Sequence, residues 1–486
     1  MKKSVRFLAF LLAFAMLFIF AACADNGESK ETEKTDDETT ATSEEVETDK
    51  YDQAKGVYNN LRSVTFDGET FTIVTQTNLG RAEMEIYVEE PTPGNVIEES
   101  VYARNLVINE KYDIEISLLG SSNPVKTISE GCLAGEQSYK FVFPSQYQCA
   151  TLAKDGYLTD LLSLDDLDLE AEWWESGTLN TQIDGKCFFM CGDINFFDND
   201  VMYILFFNKQ EFENVNDSNP YEIVQNGEWT IDVFATMLTD YSQDLNGDGI
   251  YDEEDQYGFC AGAEYSTTFF YGAGFKWCIN DEYGLPEINT EDSEKFESYF
   301  EKVYDIFHTA NRTNTSTDYD LRKQMFEEDR VLFYGEVLSY VENLKDMETP
   351  FGCLPIPKYT AEQDGYYTYT NSLGSGAAIP IGLDNVDDVA VVFEAFAIQS
   401  YIKVTPSYYD ISLQRKYSRD DESAAMLDIA LANKTYDIAY LYGLSCANIY
   451  QDLVTSKSTK FASKYSSCIK SSTSSLNKIV SAFEAM

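Results

Sequence analysis

The sequence predicts an α/β fold, because strand patterns alternate with a helix pattern early in the chain. Hydrophobic and β-branched residues predict a strand at 71–75, and apolar residues at helical spacing predict a helix over 95–111. Alternating residues predict the next strand at 112–118, and an apolar run predicts another at 139–143. Sheets built in this way are covered by helices, and their ligands bind in the loops at the strand ends.

The later part of the chain continues the mixture of strands and helices. A buried strand is expected at 201–207, and Thr230 is placed to cap a helix that runs to about 241, with Trp229 in the core. Further helices are expected at about 293–310, 387–403 and 422–434, and a last one within 456–486.

Charge excludes several classes of function. The chain has 486 residues with 83 acidic and 35 basic side chains, a formal net charge of −48. Such a surface repels phosphate backbones and anionic lipid headgroups, which excludes charge-driven binding of nucleic acid or membrane. The lone His308 also leaves no histidine pair for a zinc site and little choice of base for a catalytic triad.

The amino terminus has the pattern of an export signal. Basic residues precede an uninterrupted apolar run at 7–22, which is short for a membrane span and ends in two alanines. We therefore expect a signal peptide at 1–22. The small residues before Cys23 resemble the lipobox of bacterial lipoproteins, in which the cysteine thiol carries the lipid. The alternative is an ordinary signal peptide that happens to contain a cysteine.

The segment that follows, 23–55, is expected to be a disordered acidic tether. Residues 25–50 hold 11 acidic side chains and only two apolar ones, Ala41 and Val46. So little apolar surface cannot offset the entropy that ordering the segment would cost. Like charges extend such a segment, so it would hold the folded part away from a membrane.

A cation-binding motif occupies residues 244–255. Oxygen-bearing side chains stand at the ligand positions of an EF-hand loop, Gly249 lies at its sharp turn, and the next residue offers a backbone carbonyl. The expected ligands are Asp244, Asn246, Asp248, Ile250, Asp252 and Asp255. Asp255 stands where a longer Glu is usual, and its shorter arm disfavours bidentate coordination. Since a strand pattern follows the loop, we expect a structural calcium site rather than a switch. The alternative is an acidic surface turn.

Nine cysteines follow Cys23, and this odd number leaves at least one thiol unpaired. Cys187 and Cys191 lie within an apolar stretch, so we interpret them as core residues rather than as a metal or redox pair.

Several motifs, in a specific order, resemble the extracellular solute-binding proteins of ABC-type sugar importers, the large oligosaccharide-binding kind. They are the lipobox cysteine with its acidic tether, the segments 95–105 and 110–114, the segments 207–209 and 229–232, the cation loop running into 255–259, and the segments 352–359, 416–420 and 426–428. Those that follow the tether span essentially the whole folded region, residues 60–450.

The resemblance implies a two-lobe periplasmic-binding-protein-like α/β fold with a sugar in the cleft between the lobes. Interlobe crossings would fall near 193–200, 326–330 and 376–380. The first lobe would combine 60–195 with 331–377, and the second 200–325 with 378–486. The implied function is capture of a carbohydrate and its delivery to an ABC transporter permease. The protein would be a monomer on the outer face of the bacterial plasma membrane, held there by its lipid alone.

Aromatic side chains are the first candidates for sugar contact, because sugars present flat CH faces that stack on rings. Trp173 and Trp174 stand in a polar setting without apolar neighbours in sequence, which favours an exposed stacking platform over peripheral packing. Trp277 is a second candidate. The polar candidates lie on predicted strand-end turns, where each alone also fits an ordinary loop residue: Gln76, Asn78, Ser145, Gln146, Asp193, Glu336 and Asn371.

Two alternatives to a sugar-binding protein remain open. A surface glycoside hydrolase needs only two carboxylates, and this chain has too many acidic residues for any pair to stand out. A binder of peptides or other polar solutes would more often pair a ligand carboxylate with arginine. The candidate loops are short of arginine, with Arg81 and Arg330 the nearest.

Overall fold

A computed structural model of the protein describes residues 43–77, 79–135, 138–215, 218–239, 241–309, 312–409 and 421–486. The expected signal peptide, Cys23 and most of the expected tether lie outside the described residues. The chain divides into two units, 1–50 and 51–486. A helix, α1, begins at Ser43 and ends at Asn60. The carboxyl-terminal part of the segment predicted to be disordered is therefore helical.

The rest of the described chain contains twelve strands and sixteen further α-helices. The strands are β1 Glu69–Gln76, β2 Ile114–Ser121, β3 Tyr139–Phe143, β4 Tyr203–Asn208, β5 Tyr257–Cys260, β6 Cys278–Asn280, β7 Pro286–Ile288, β8 Thr313–Asn314, β9 Val331–Val337, β10 Phe351–Leu354, β11 Thr368–Tyr369 and β12 Lys434–Thr435. The helices are α2 Val96–Tyr112, α3 Pro124–Ala134, α4 Gln146–Lys154, α5 Ser176–Leu179, α6 Phe197–Asp200, α7 Lys209–Val215, α8 Pro220–Gln225, α9 Ile231–Thr239, α10 Tyr265–Gly272, α11 Ser293–His308, α12 Tyr319–Glu327, α13 Val386–Ser407, α14 Asp421–Ala432, α15 Ile438–Leu441, α16 Ile449–Thr455 and α17 Phe461–Glu484.

A three-stranded parallel sheet forms first, in the order β2-β1-β3. Its strands carry the predicted apolar residues, and β3 is buried along its whole length. The long helix α13 packs against α2 beside this sheet, and Phe141 contacts Phe393 edge-on at 5.1 Å between ring centroids. Asn95 caps α2 through its side chain, and the left-handed conformation of Asp113 ends it.

A five-stranded mixed sheet forms the second centre of the fold, in the order β10-β4-β9-β5-β8. Strand β4 pairs antiparallel with β10 and β9, whereas β5 pairs parallel with β9 and β8. All six residues of β4 are buried, as its continuous apolar run predicts. Trp229 is also buried, which confirms its expected place in the core.

The strand pairing differs from the lobe composition that we expected. Strands β9 and β10, within 331–377, belong to the sheet of β4 and not to that of β1. Helix α13 packs on α2, although 378–486 was expected in the other lobe. Residues 326–330 do not lie at a crossing, because β8 before them and β9 after them share one sheet. Which sheet a strand joins depends on hydrogen bonds to strands that are distant in sequence, and local patterns do not encode these pairings.

The segment 370–380 runs from one sheet to the other. Thr370 bridges to Met202 just before β4, whereas Ala378 bridges to Val142 in β3 and Pro380 to Leu158. This geometry places Asn371 and its neighbours between the carboxyl edge of the small sheet and the start of β4.

Eight of the cysteines after Cys23 are buried free thiols, and Cys187 and Cys191 lie in the core as expected. In the part of the chain that the structure describes, no helix has both the length and the apolar character that crossing a membrane requires.

Candidate functional site

Polar residues meet at the carboxyl edge of the small sheet. Gln76 ends β1, while Ser145 and Gln146 follow β3, and the two strands are parallel neighbours. The backbone N–H of Gln146 donates to the carbonyl of Gly374 at 2.8 Å. Three of the predicted site residues, Ser145, Gln146 and Asn371, are thereby brought to one region, next to the end of β1. Asn78 lies outside the described residues.

A cavity of about 340 Å³ opens beside this edge and is rich in tyrosine. Tyr147 in the first turn of α4 forms one side, and Tyr440 and Tyr442 at the end of α15 form another. Tyr369 completes the aromatic lining, which also includes the polar side chains of Ser372 and Asn448. Aromatic rings with a few polar groups provide both surfaces that a sugar presents, its CH faces and its hydroxyls.

The tyrosines behind the cavity hold its wall in place. The ring of Tyr369 stacks on Tyr203 at 5.5 Å and on Tyr271 at 5.0 Å, and Tyr440 meets it edge-on at 5.1 Å. The amide of Asn371 donates to the Tyr203 hydroxyl at 3.4 Å. These ring contacts build the cavity wall from side chains that pack on one another.

Several buried polar atoms near the cavity have no hydrogen-bond partner within the described part of the chain. They are both amide atoms of Gln146, the Thr370 hydroxyl and the Tyr271 hydroxyl. Buried polar groups in folded proteins are nearly always paired with protein or water. Gln146 is fully buried, so its amide offers one acceptor and one donor group to a ligand or a water.

Glu336 lies near the carboxyl end of β9, the central strand of the larger sheet, where it faces an arginine. The Arg322 guanidinium contacts its carboxylate at 2.7 Å and that of Glu264 at 3.6 Å. Burial raises the pKa of Glu336 to about 7, although Arg322 opposes the shift. Glu336 is only 5% exposed, so its first partner is Arg322 and not the solvent.

Asp193 is hydrogen-bonded to another side chain inside the fold. Its carboxylate accepts a hydrogen bond from Thr405 on α13, and burial raises its pKa to about 7. Asp193 is therefore not among the residues that line the cavity.

The three tryptophans expected to bind sugar lie in the core, which corrects the expectation that they are exposed. Trp173 and Trp174 are 4% and 5% exposed, and their indole N–H groups donate to the two carboxylate oxygens of Glu394 at 2.8 and 3.1 Å. Trp277 is 1% exposed and stacks on Phe270 at 4.3 Å. Glu394 on α13 supplies the polar partner that the sequence around the tryptophan pair did not reveal.

Carboxylates of the cation loop accept hydrogen bonds from backbone N–H groups of the same loop. Both carboxylate oxygens of Asp244 accept backbone N–H groups, from Gly247 at 2.7 Å and Gly249 at 2.8 Å. Both oxygens of the buried Asp255 do the same, with Leu245 and Asp252, each at 2.9 Å. Among the described residues, no three His, Cys, Asp or Glu side chains converge as metal ligands.

The loop nevertheless fits calcium in its donor chemistry. A positive φ of 81° at Gly249 makes the sharp turn that the motif requires. Its donors are hard oxygens, and carboxylate oxygens that accept one amide N–H keep further lone pairs for a cation.

Sequence reasoning missed the four cavity tyrosines. The chain has 34 tyrosines, so composition does not distinguish these from the rest. The one available signal was local, because Tyr147 directly follows the predicted site residues Ser145 and Gln146. Tyr369, Tyr440 and Tyr442 reach the cavity only through tertiary packing.

No protein-family model and no curated protein sequence matches the chain. Solved structures do match in fold. An ABC substrate-binding protein of Listeria monocytogenes in complex with cycloalternan has a TM-score of 0.53 at 12% identity, over 85% of this chain and 99% of that one. A cyclo/maltodextrin-binding protein complexed with maltotetraose gives 0.55 at 12% identity, over 85% and 97%. Maltose-bound MalE3 of T. maritima gives 0.50 at 15% identity, over 84% and 99%. These matches confirm the predicted fold class, and the chain therefore has an α/β periplasmic-binding-protein-like fold.

Proposed function

We propose that the protein is a carbohydrate-binding substrate-binding protein that delivers an oligosaccharide to an ABC transporter permease. The observation that carries this proposal is the tyrosine-lined cavity next to the unpartnered Gln146 amide, in a fold matched by proteins solved with bound sugars. Stacked rings would hold the sugar faces, and Gln146 with Asn448 would orient its hydroxyls.

A glycan array with the folded chain, followed by calorimetry of each hit, tests this proposal. We expect saturable binding of one family of oligosaccharides with no product formed. Released reducing ends would instead identify a glycoside hydrolase. Binding of peptides with no response to any glycan would contradict the carbohydrate assignment.

We further propose that Cys23 carries a lipid that anchors the protein to the membrane. The support is its sequence context, the apolar run and small residues that precede it. Acyl chains contribute about 0.8 kcal/mol per buried methylene, so diacylglycerol would hold the chain firmly. Metabolic labelling with an alkyne fatty acid should mark the wild-type protein and not Cys23→Ala. Equal labelling of both proteins, or no labelling of either, would refute the anchor.

Calcium in the loop 244–255 is a separate proposal. It is supported by the ligand spacing and by the turn at Gly249. Calcium at about 100 times its Kd should stabilise the fold by about 2.7 kcal/mol, measured as a rise in Tm. The double variant Asp244→Ala with Asp248→Ala should lose this rise, whereas Glu89→Ala with Glu90→Ala removes the same charge elsewhere and should keep it. A wild-type Tm that ignores both calcium and chelator would rule the site out.

A further inference from the structure

Three cationic side chains are paired with carboxylates that lie on, or pair with, one short stretch of chain. Arg81 and Lys434 contact Asp200 and Asp198 of helix α6, just before β4. Arg322 contacts Glu336, whose backbone is the β-sheet partner of Ile204 in β4. One carboxylate partner of each cation therefore lies within residues 198–204 or on a residue that pairs with them.

Each of these cations contacts two carboxylates. Arg81 donates from Nε to Asp200 at 2.7 Å and lies 3.8 Å from Glu342. Lys434 lies 2.8 Å from Asp198 and 2.9 Å from Glu175.

Arg322 repeats this arrangement with Glu336 and Glu264, at 2.7 and 3.6 Å. Its side chain is 2% exposed, whereas that of Glu264 is 34% exposed, so the group that this cluster shows to solvent is a carboxylate. With both acids ionised, one cation between two carboxylates leaves a net charge of −1.

Two of these clusters, those of Arg322 and Lys434, are linked to the cavity through residues of its wall. Tyr369 of the lining stacks on Tyr203, and burial together with nearby Tyr369, Glu264 and Glu336 raises the pKa of Tyr203 well above its usual value. On the other side, β12 pairs Lys434 and Thr435 with β11, which ends at Tyr369. None of the described residues that line the cavity is charged.

We propose that this arrangement makes the site select neutral sugars and reject anionic ones such as uronates. A ligand carboxylate would enter an uncharged cavity flanked by net negative clusters, and neither Arg322 nor Lys434 would be available to it without breaking an existing ion pair. Partly buried charges are screened less than exposed ones, so the repulsion would act at the distance of the cavity wall. The proposal rests on the proposed carbohydrate function and adds its substrate class.

Matched trisaccharides that differ only by oxidation at C6 test the selectivity. The probes are mannotriose with trimannuronate, galactotriose with trigalacturonate, and cellotriose with its uronate. Calorimetry at pH 8 keeps Glu336 ionised, because its pKa is about 7. We expect at least one neutral member to bind and its uronate to bind at least 100-fold more weakly at low salt. A uronate that binds as well as its neutral partner would overturn the selectivity alone, whereas no binding by any probe or by a wider glycan array would overturn the carbohydrate function and the selectivity with it.

A pair of charge-matched variants separates local from global repulsion. Glu264→Gln removes one charge from the Arg322 cluster, whereas Glu294→Gln removes one charge from the exposed first turn of α11. We expect the neutral-to-uronate affinity ratio to fall about tenfold in Glu264→Gln and to stay within twofold in Glu294→Gln. An equal fall in both variants would show that net charge, and not these clusters, excludes anions. An unchanged ratio in Glu264→Gln would also contradict the proposal.

Discussion

Two aromatic regions of this molecule differ in what surrounds their rings. Trp173 and Trp174 stand among polar residues in sequence, yet in the fold Glu394 satisfies both indole N–H groups and Phe393 stacks on Trp174 at 5.5 Å. The cavity tyrosines have ordinary sequence surroundings, yet Tyr147 is 40% exposed and faces open space.

The difference teaches that polar neighbours in sequence do not keep an aromatic ring at the surface. A single carboxylate from helix α13, 220 residues away, allows the tryptophan pair to be buried. The cavity, in contrast, has rings from four separate positions, and next to it lies the buried Gln146 amide, which has no partner among the described residues. Changes at the tryptophan pair should therefore lower stability, whereas changes at the cavity tyrosines should lower ligand affinity.

The largest expected effect is on stability, from Trp173→Ala or Trp174→Ala. Each should lower the free energy of unfolding by about 3–5 kcal/mol, because a buried ring is lost and the Glu394 carboxylate loses a donor. Urea denaturation measures the change. Tyr283→Ala, at a ring that is 81% exposed, is the control and should leave stability nearly unchanged. Variants that stay stable but lose sugar binding would restore the tryptophans as ligand contacts.

Glu394 should also make stability depend on pH. Burial raises its pKa to about 8, whereas the two indole donors oppose the shift. Between its ordinary pKa of 4.5 and about 8, the folded protein then binds more protons than the unfolded chain, so stability should fall as pH rises.

The slope expected from one such group is about 1.4 kcal/mol per pH unit. Denaturation of the wild type and of Glu394→Gln at pH 5, 6.5 and 8 measures it, and the variant should show the smaller slope. Glu85, whose pKa burial also raises to about 8, should keep part of the slope in both proteins. Identical slopes in the two proteins would mean that Glu394 is ionised throughout this range.

In the cavity, Tyr147→Ala and Tyr442→Ala should each weaken sugar binding by about 1–3 kcal/mol, because a stacking face is removed from the lining. Calorimetry with a sugar that binds the wild type measures the loss, and Tyr283→Ala again serves as the control. Unchanged affinity in both cavity variants would place the ligand elsewhere.

The smallest expected effect comes from Gln146→Met, which keeps the side-chain volume but removes the amide. Its loss should weaken sugar binding by about 0.5–1.5 kcal/mol, the net value of one hydrogen bond. Stability should stay the same or rise, because the amide has no protein partner in the described chain. A clear loss of stability would show that the amide is satisfied within the protein.

The sequence predicted most of the fold because local patterns encode its elements. The strand at 139–143 and the helix at 95–111 match β3 and α2 within one or two residues. The lobe membership of 331–377 was wrong, because it depends on which distant strand pairs with β9. Strand-end positions predicted Ser145, Gln146 and Asn371, which lie in one region of the fold and stay predicted site residues. The cavity tyrosines and the partner of Trp173 depend on tertiary contacts that no local pattern encodes.

The eight buried thiols should react slowly with alkylating reagents in the folded chain and quickly once the chain unfolds. Burial raises the pKa of Cys187, Cys260, Cys353 and Cys446 to about 12, and the reactive form of a thiol is the thiolate. An alkylating dye should therefore label these positions only in molecules that have opened. Native cysteines would then serve as built-in reporters of how often each part of the core is exposed to solvent, without any engineered label.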